Sequence, residues 1–405
     1  MNRPVVITGM GAVTPLGQTL DASWKALIEG KDAEVPVELF NTEGCRCHRA
    51  AVAELPPLSG LKPKTLSRLS RASRLAIPAA REALASARLL DPAGHSLLPV
   101  LPFSVSTTAG GMAFGEQFLR DILAHKRSRL LGPVARYLPQ QQILDIQRAL
   151  GFEGPSVIMA NACASGANAI GHAAEMVSSG MADCILTGGF EALTELLFVG
   201  FDCLQATTLD RCRPFDLKRS GLILGEGAAF LILETPEHAR QRGVQPLCRL
   251  SGYGHGTDAF HLTQPQPEGQ ALIAVMRQAA VAAGIDPGEI GYINAHGTAT
   301  PVNDGTEALA YRTFLGDSLN QVRISSTKAA IGHTLGAAGS IEAIFAIQAL
   351  LTEKLPPQLN LQNPIPEMAP VLVSEHESRF MKHTMSVNLG FGGSNAALVF
   401  SRHEN

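Results

Sequence analysis

Charge is scarce in this sequence, and what there is nearly cancels. Lys and Arg number 33 against 36 Asp and Glu; together they make up 17% of 405 residues, while apolar residues make up 45%. No strong basic field is left to hold nucleic acid, and no acidic tail to keep a segment unfolded. A chain so poor in charge hides much of its length in a core or a subunit interface. Disulfide order is lacking too. Seven cysteines, Cys45, Cys47, Cys163, Cys184, Cys203, Cys212 and Cys248, form an odd and irregularly spaced set. That fits a reducing cytoplasm better than a disulfide framework. Cys45, Cys47 and His48 make half of a zinc motif, and no second half follows. No charged stretch, apolar core and cleavage site open the sequence as in a signal peptide. The most apolar helical run, Ile341 to Leu351, is broken by Glu342 and Gln348. It falls short of the ~20 residues that span a bilayer. There is no low-complexity linker and no short-period repeat, so the length points to a few domain-sized units or one large duplicated fold.

What is present is an alternation of apolar strand-like runs and helical segments. Val5 to Thr8, Val157 to Ala160, Cys184 to Thr187 and Ala228 to Leu233 make up a first half. Leu247 to Leu250, Tyr292 to Asn294, Val322 to Ser325 and Ala397 to Phe400 repeat the style in a second. Continuous apolar strands belong to sheets covered on both faces, so the class is α/β. Ala167, Ile170, Ala174 and Val177 share one helical face ahead of Gly180, and Ala271 to Ala283 reads as a helix closed by Gly284. Gly9-Met10-Gly11 imitates the start of a dinucleotide-binding turn. The third glycine position is Thr14, with Pro15 after it. It is read as a structural turn, without NAD or FAD.

Four turns could carry chemistry. In Asn161-Ala162-Cys163-Ala164-Ser165-Gly166 the cysteine stands between a strand and a helix N-terminus. Free N–H groups and positive partial charge there favour a thiolate nucleophile. The bland alternative is a buried structural cysteine. In Asn294-Ala295-His296-Gly297-Thr298-Ala299-Thr300 a histidine and two threonines follow a strand, with Asp304 and Glu307 beyond. A lone histidine there is more simply a loop residue. Ser325 to His333 places Lys328 and His333 across one turn, and so apolar a setting requires a partner for the lysine, Glu307 or Glu342. Gly390-Phe391-Gly392-Gly393 can adopt unusual backbone angles and offer N–H groups as an oxyanion hole, or be an ordinary turn. All four follow strands, where open α/β sheets place their sites.

These segments resemble the elongating β-ketoacyl-[acyl carrier protein] synthases, the synthase I and II group of the thiolase superfamily. The resemblance runs from Val5 to Phe400 through VVITGMGAVTPLG (5–17), NACASG (161–166), RPFDLKRSGLILGEGAAFLILE (213–234), NAHGTATPVND (294–304), SSTKAAIGHTLGAAGSIEA (325–343) and GFGGSN (390–395). It implies a duplicated five-layered thiolase-like α-β-α-β-α fold with halves at residues 1–241 and 242–405. It implies decarboxylative condensation of malonyl-carrier with an acyl group on Cys163, extending a fatty acid or polyketide chain, polyenes included, by two carbons. His296 and His333 would assist decarboxylation. Lys328 would be the electrostatic lysine, with Glu307 its partner. Cys163 and Phe391 would supply the oxyanion-hole N–H groups, and Phe391 a gate. Thr298 and Thr300 would contact the phosphopantetheine arm, and Ala109 and Phe201 the acyl tail. Asn294 and Glu342 match positions that hold a monovalent cation in some members. No other metal or organic cofactor is implied.

The implied partner is an acidic acyl carrier protein. Lys64, Arg68, Arg71 and Arg74 have helical spacing and read as one basic stripe. Lys126, Arg127 and Arg129 form a second cluster; the resemblance points most directly to Lys64, Arg68 and Arg129. A homodimer is implied, and a heterodimer with a related non-catalytic subunit stays open. The sequence also departs from the family pattern. Val387-Asn388-Leu389 stands where Asn-Ser-Phe is usual, and Arg219-Ser220-Gly221 where Arg-Asp-Gly is usual. Ala109 stands where a bulkier aliphatic is common. A degradative thiolase would need a second catalytic cysteine near the C-terminus, and none follows Cys248. A non-catalytic chain-length subunit would lack the nucleophile. A pure binding module would never carry a covalent acyl group.

Overall fold

A computed structural model describes residues 3–58, 60–126 and 131–403. Strand β1 (Val6–Val13) is followed by helix α1 (Arg71–Ser86), β2 (Phe103–Ser106), α2 (Met112–His125), α3 (Pro139–Leu150), β3 (Ser156–Met159), α4 (Ser165–Ser178), β4 (Cys184–Glu191), α5 (Glu195–Cys203) and β5 (Gly227–Glu234). The chain continues through β6 (Cys248–Thr257), α6 (Gln270–Ala283), β7 (Ile290–Asn294), α7 (Pro301–Leu315), β8 (Arg323–Ser325), α8 (Ala338–Thr352), β9 (His383–Leu389) and β10 (Ser394–Arg402).

These ten strands form one sheet in the order β8-β7-β9-β10-β6-β1-β5-β4-β2-β3. Its two halves have the same topology. Within each, the third, second and fourth strands run parallel, and the fifth and first pair antiparallel beside them. The halves meet where Val6 and Ile7 pair with Arg249 and Cys248. The duplication is therefore structural, although no short-period repeat marks it in the sequence.

Side chains alternate across each strand and so serve two cores. Leu186, Phe230 and Ile232 face α1 and α3, whereas Ile185, Leu231 and Leu233 face α4 and α8. In the second half Leu398 faces α8, while Met385, Val387 and Val399 face α6 and α7. The result is five layers, helix–sheet–helix–sheet–helix. The middle layer is the pair α4 and α8, which touch each other. Every residue of β4 and β5 is buried, as expected of strands covered on both faces.

Two sequence expectations are corrected. Gly9-Met10-Gly11 is not a turn: β1 runs straight through it. A Cβ at Gly9 would lie 2.2 Å from the Ala83 carbonyl oxygen, and one at Gly11 2.3 Å from that of Ala79. Those glycines exist so that α1 can lie against the strand. The apolar helical run around α8 is also longer than Ile341 to Leu351. Leu335–Thr352 is long and apolar enough to cross a membrane by composition, and 83% of it is buried inside the protein. It is the core helix of the middle layer.

Candidate active site

Chain duplication places the chemistry. Cys163 follows β3 and His333 follows β8, the third strand of each half, and each precedes a central helix, α4 or α8. Those helices approach through glycine. A Cβ at Gly166 would lie 2.6 Å from the Ser340 nitrogen, and one at Gly339 2.3 Å from the Ala167 nitrogen. Without side chains at that crossing the two turns converge, and His333 Nε2 lies 2.9 Å from Cys163 Sγ.

The Cys163 turn is held in an uncommon conformation. Ala162 has φ +57°, a left-handed angle unusual for a residue with a Cβ. Ser165 Oγ fixes it by accepting from the Asn161 N–H at 2.8 Å and donating to the Ala162 carbonyl at 2.5 Å. The Phe391 backbone N–H reaches the Cys163 sulfur. Cys163 is 4% exposed, and its burial works against the thiolate that the helix terminus favours. Burial pushes the thiol up to about 12, against the opposing pull of Lys328 and the Phe391 N–H. Desolvation thus opposes the local dipoles of the helix terminus at Cys163.

The two histidines are held in one tautomer each. The Leu335 N–H donates to His333 Nδ1 at 3.4 Å, which leaves the proton on Nε2, toward Cys163. Lys328 Nζ lies 3.3 Å from His296 Nδ1; an ammonium can only donate there, so His296 also carries its proton on Nε2. The rings meet edge to face, with centroids 5.4 Å apart. Burial, then the Lys328 charge, holds both imidazoles well below the ordinary histidine range, with His333 adding to the effect on His296. Both are neutral hydrogen-bond donors at neutral pH.

Lys328 is 1% exposed and pairs with Glu342, not with Glu307 as the resemblance implied. Glu342 also accepts from Asn388 Nδ2 at 2.6 Å. Burial raises the Glu342 carboxyl, and Lys328 and Asn388 act against that. Glu307 instead accepts from the His296 and Gly297 N–H groups, from Asn303 Nδ2 and from the Tyr311 hydroxyl at 2.6–2.9 Å. It fixes the His296 turn from behind and does not line the cavity. Asp304 ties the next residues, accepting from the Ala299 and Phe215 N–H groups at 3.1 and 2.7 Å. Asn388, Tyr311 and Asp304 are thus supporting residues that sequence reasoning gave no role; only Asp304 carried a signal, its closeness to the Thr298-Ala299-Thr300 stretch.

A cavity of about 220 Å³ opens over Cys163, His296 and His333, and Phe201, Phe391, Thr298 and Thr300 line it. The Thr298 and Thr300 hydroxyls are 2.9 Å apart. Phe201, on α5, stacks on Phe391 with ring centroids 5.5 Å apart. Ala109 is not in the lining. Its N–H is bound to the buried Glu191 carboxylate at 2.8 Å, and its neighbours Gly110 and Gly111 line a separate cavity of about 170 Å³. Phe201 and Phe391 thus lie on the cavity over Cys163, and residue 109 lies outside it.

The Asn294 amide is fully buried with neither its oxygen nor its nitrogen hydrogen-bonded, so an oxygen donor for a cation is present. Glu342 can offer one only beside its bonds to Lys328 and Asn388. Cys45, Cys47 and His48 do not converge as metal ligands among the described residues. The Asp202 carboxylate instead takes the Arg46 and Cys47 N–H groups.

The basic stripe is not one helix. Ser70 caps α1, which separates Arg71 and Arg74 from Lys64 on the short helix Pro63–Leu66. Arg71 points inward to the buried Glu226 and is only partly exposed. Lys64 and Arg68 are exposed. Arg129 lies outside the described residues.

Comparison with known proteins agrees with this geometry. Residues 2–239 match the family described as Beta-ketoacyl synthase, N-terminal domain, and residues 247–362 the Beta-ketoacyl synthase, C-terminal domain. The chain is 35% identical to a 3-oxoacyl-[acyl-carrier-protein] synthase 2 of Staphylococcus aureus, over 100% of this chain and 99% of that one. Among solved structures, a beta-ketoacyl synthase from Burkholderia phymatum superimposes over all of both chains with a TM-score of 0.89 and 32% identity. The ishigamide ketosynthase/chain length factor does so with 0.91 and 29%. The chain belongs to the β-ketoacyl synthase family.

Proposed function

We propose that Cys163 takes an acyl group from an acyl carrier protein and condenses it with a malonyl unit on a second carrier. The single observation that carries this assignment is the convergence of one sulfur and two neutral Nε2–H donors at the base of one cavity. Thioester exchange moves the acyl group to Cys163, and the thiol proton leaves with the carrier's sulfur. The His333 Nε2–H and the Phe391 N–H stabilise negative charge on the Cys163 sulfur as it forms. In the second step His296 and His333 donate to the malonyl thioester oxygen. The carboxylate departs as carbon dioxide, and the electron pair of the broken bond is held as an enolate. That carbon attacks the Cys163 thioester, and the Cys163 and Phe391 N–H groups hold the resulting oxyanion. Collapse frees the sulfur and releases a 3-oxoacyl chain longer by two carbons.

Lys328 acts through His296: its ammonium keeps the proton on Nε2 and disfavours imidazolium. Glu307 positions the same turn. Thr298 and Thr300 contact the prosthetic arm, and Phe201 with Phe391 gates the acyl side. Asn294 and Glu342 would hold a monovalent cation, which would add positive charge beside the Lys328–Glu342 pair. Lys64, Arg68 and Arg129 attract the acidic carrier. The two catalytic halves are residues 1–241 and 242–405, and the protein works in the cytoplasm.

Strand β3 supports dimer formation. It ends the sheet, Val157 on it is 38% exposed, and no described strand pairs its outer edge. The opposite end is covered, since Ile324 bridges to Leu372. An open edge is a template for a second chain. That chain is a second copy or, as the name of the ishigamide structure indicates for that protein, a chain length factor. Incubation with acyl- and malonyl-carrier tests the reaction: equimolar carbon dioxide and a product two carbons longer are expected. Malonyl-carrier recovered unchanged would refute it.

A further inference from the structure

Ser220 lines the cavity with Thr208 buried behind it, apart from every residue given a role above. Their hydroxyl oxygens are 2.7 Å apart. Thr208 is 1% exposed, and its Oγ1 accepts the Asp210 N–H at 3.2 Å. A buried hydroxyl proton needs an acceptor, and among the described residues Ser220 Oγ is the one in reach. Thr208 therefore donates to Ser220, and the Ser220 proton is left free to donate elsewhere. Ser220 is exposed and lines the same cavity as Thr298 and Thr300.

The hydroxyl is also fixed in place relative to those threonines. The Gly221 N–H donates to the Ala299 carbonyl at 2.9 Å. Arg219 donates to the Thr300 carbonyl at 3.2 Å, to Pro301 at 2.6 Å and to Asp216 at 3.0 Å. Residues 219–221 and 299–301 are thereby one wall. Three hydroxyls line that cavity, those of Thr298, Thr300 and Ser220, and Thr208 backs the last from beneath.

We propose that Ser220 is a specificity-determining hydrogen-bond donor for the carrier's prosthetic arm, taking an oxygen acceptor on its mouth-side part, an amide carbonyl or a phosphodiester oxygen. The inference rests on the carrier-dependent reaction proposed above. It also gives physical content to the serine at residue 220: an aspartate there, when ionised, could only accept, whereas this hydroxyl donates.

The test measures acylation of Cys163 by one acyl group on four donors: carrier protein, phosphopantetheine, pantetheine and N-acetylcysteamine. The readout is KM for each donor relative to N-acetylcysteamine, which lacks the outer arm. Ser220→Ala should raise the relative KM for carrier and phosphopantetheine about threefold to tenfold, the loss expected for one neutral hydrogen bond. Ser220→Thr, which keeps the hydroxyl, should restore it. A matching rise with pantetheine identifies an amide carbonyl as the acceptor; a rise confined to the phosphorylated donors identifies the phosphodiester. Cys163 acylation with an unchanged relative KM in Ser220→Ala overturns this inference and leaves the reaction standing. No acylation of wild-type Cys163 by any donor overturns both.

Discussion

Gly339→Ala tests whether the helix crossing builds the site. The added Cβ would stand 2.3 Å from the Ala167 nitrogen and 3.0 Å from Asn388 Oδ1, where ordinary contact begins at 3.4 Å. The deficit, 3.4 minus 2.3, requires α4 and α8 to separate by about 1 Å at the point that brings Cys163 and His333 together. A displacement of about 1 Å in a catalytic constellation can lower the rate on the order of a hundredfold, while overpacking of this kind costs about 1–3 kcal/mol of stability. The variant should therefore fold, melt a few degrees lower and condense about a hundredfold more slowly. Condensation rate, melting temperature and alkylation of Cys163 by iodoacetamide form the assay. A folded Gly339→Ala protein with a wild-type condensation rate would refute the claim that glycine at the crossing sets the Cys163–His333 distance.

His296→Ala and His333→Ala should still accept an acyl group on Cys163 but lose malonyl decarboxylation; carbon dioxide release at the wild-type rate would remove that histidine from the step. Lys328→Met leaves Glu342 buried without its cation and should cost about 3–5 kcal/mol in urea unfolding; a cost below about 1 kcal/mol would show the pair to be unimportant. Asp304 isolates a pH effect. Burial lifts its carboxyl to about 7 from an unfolded value of 3.8, so between those values the folded state binds the extra proton and stability falls as pH rises. Melting of Asp304→Asn should accordingly gain on wild type from pH 4 to pH 7 and level off above; parallel melting curves would contradict the shift. Arg68→Glu should raise KM for carrier-bound substrate at low salt and leave thiol labelling intact; an unchanged KM would place the carrier elsewhere.

The reacting groups were legible because each sits on a short turn after an apolar strand, and strand ends are readable from local pattern. Partnerships across the fold were not. Lys328 and Glu342 are one helix apart, and both Glu307 and Glu342 satisfied the sequence equally; the strands β7, β8 and β9 decide by placing Asn388 beside Glu342. At Cys163 the helix terminus is visible in sequence, and the burial that opposes it is not. Arg71 looked like part of a basic face because the spacing of charges carries no record of Glu226, 155 residues away. Ala109 was assigned to the tail space by resemblance, and its position behind Glu191 depends on packing that no local motif encodes. The similar strand style of the two halves hinted at the duplication, but the strand order that establishes it is not in residue patterning.

Covalent chemistry at Cys163 is the central claim, and intact-mass analysis measures it most directly. Wild-type protein incubated with acyl-carrier should gain the mass of one acyl group, mapped by peptide fragmentation to Cys163. Cys163→Ala should gain none and should lose condensation by a thousandfold or more, as is usual when a covalent nucleophile is removed. An acyl group mapped to another residue, or near-normal condensation by Cys163→Ala, would contradict the account.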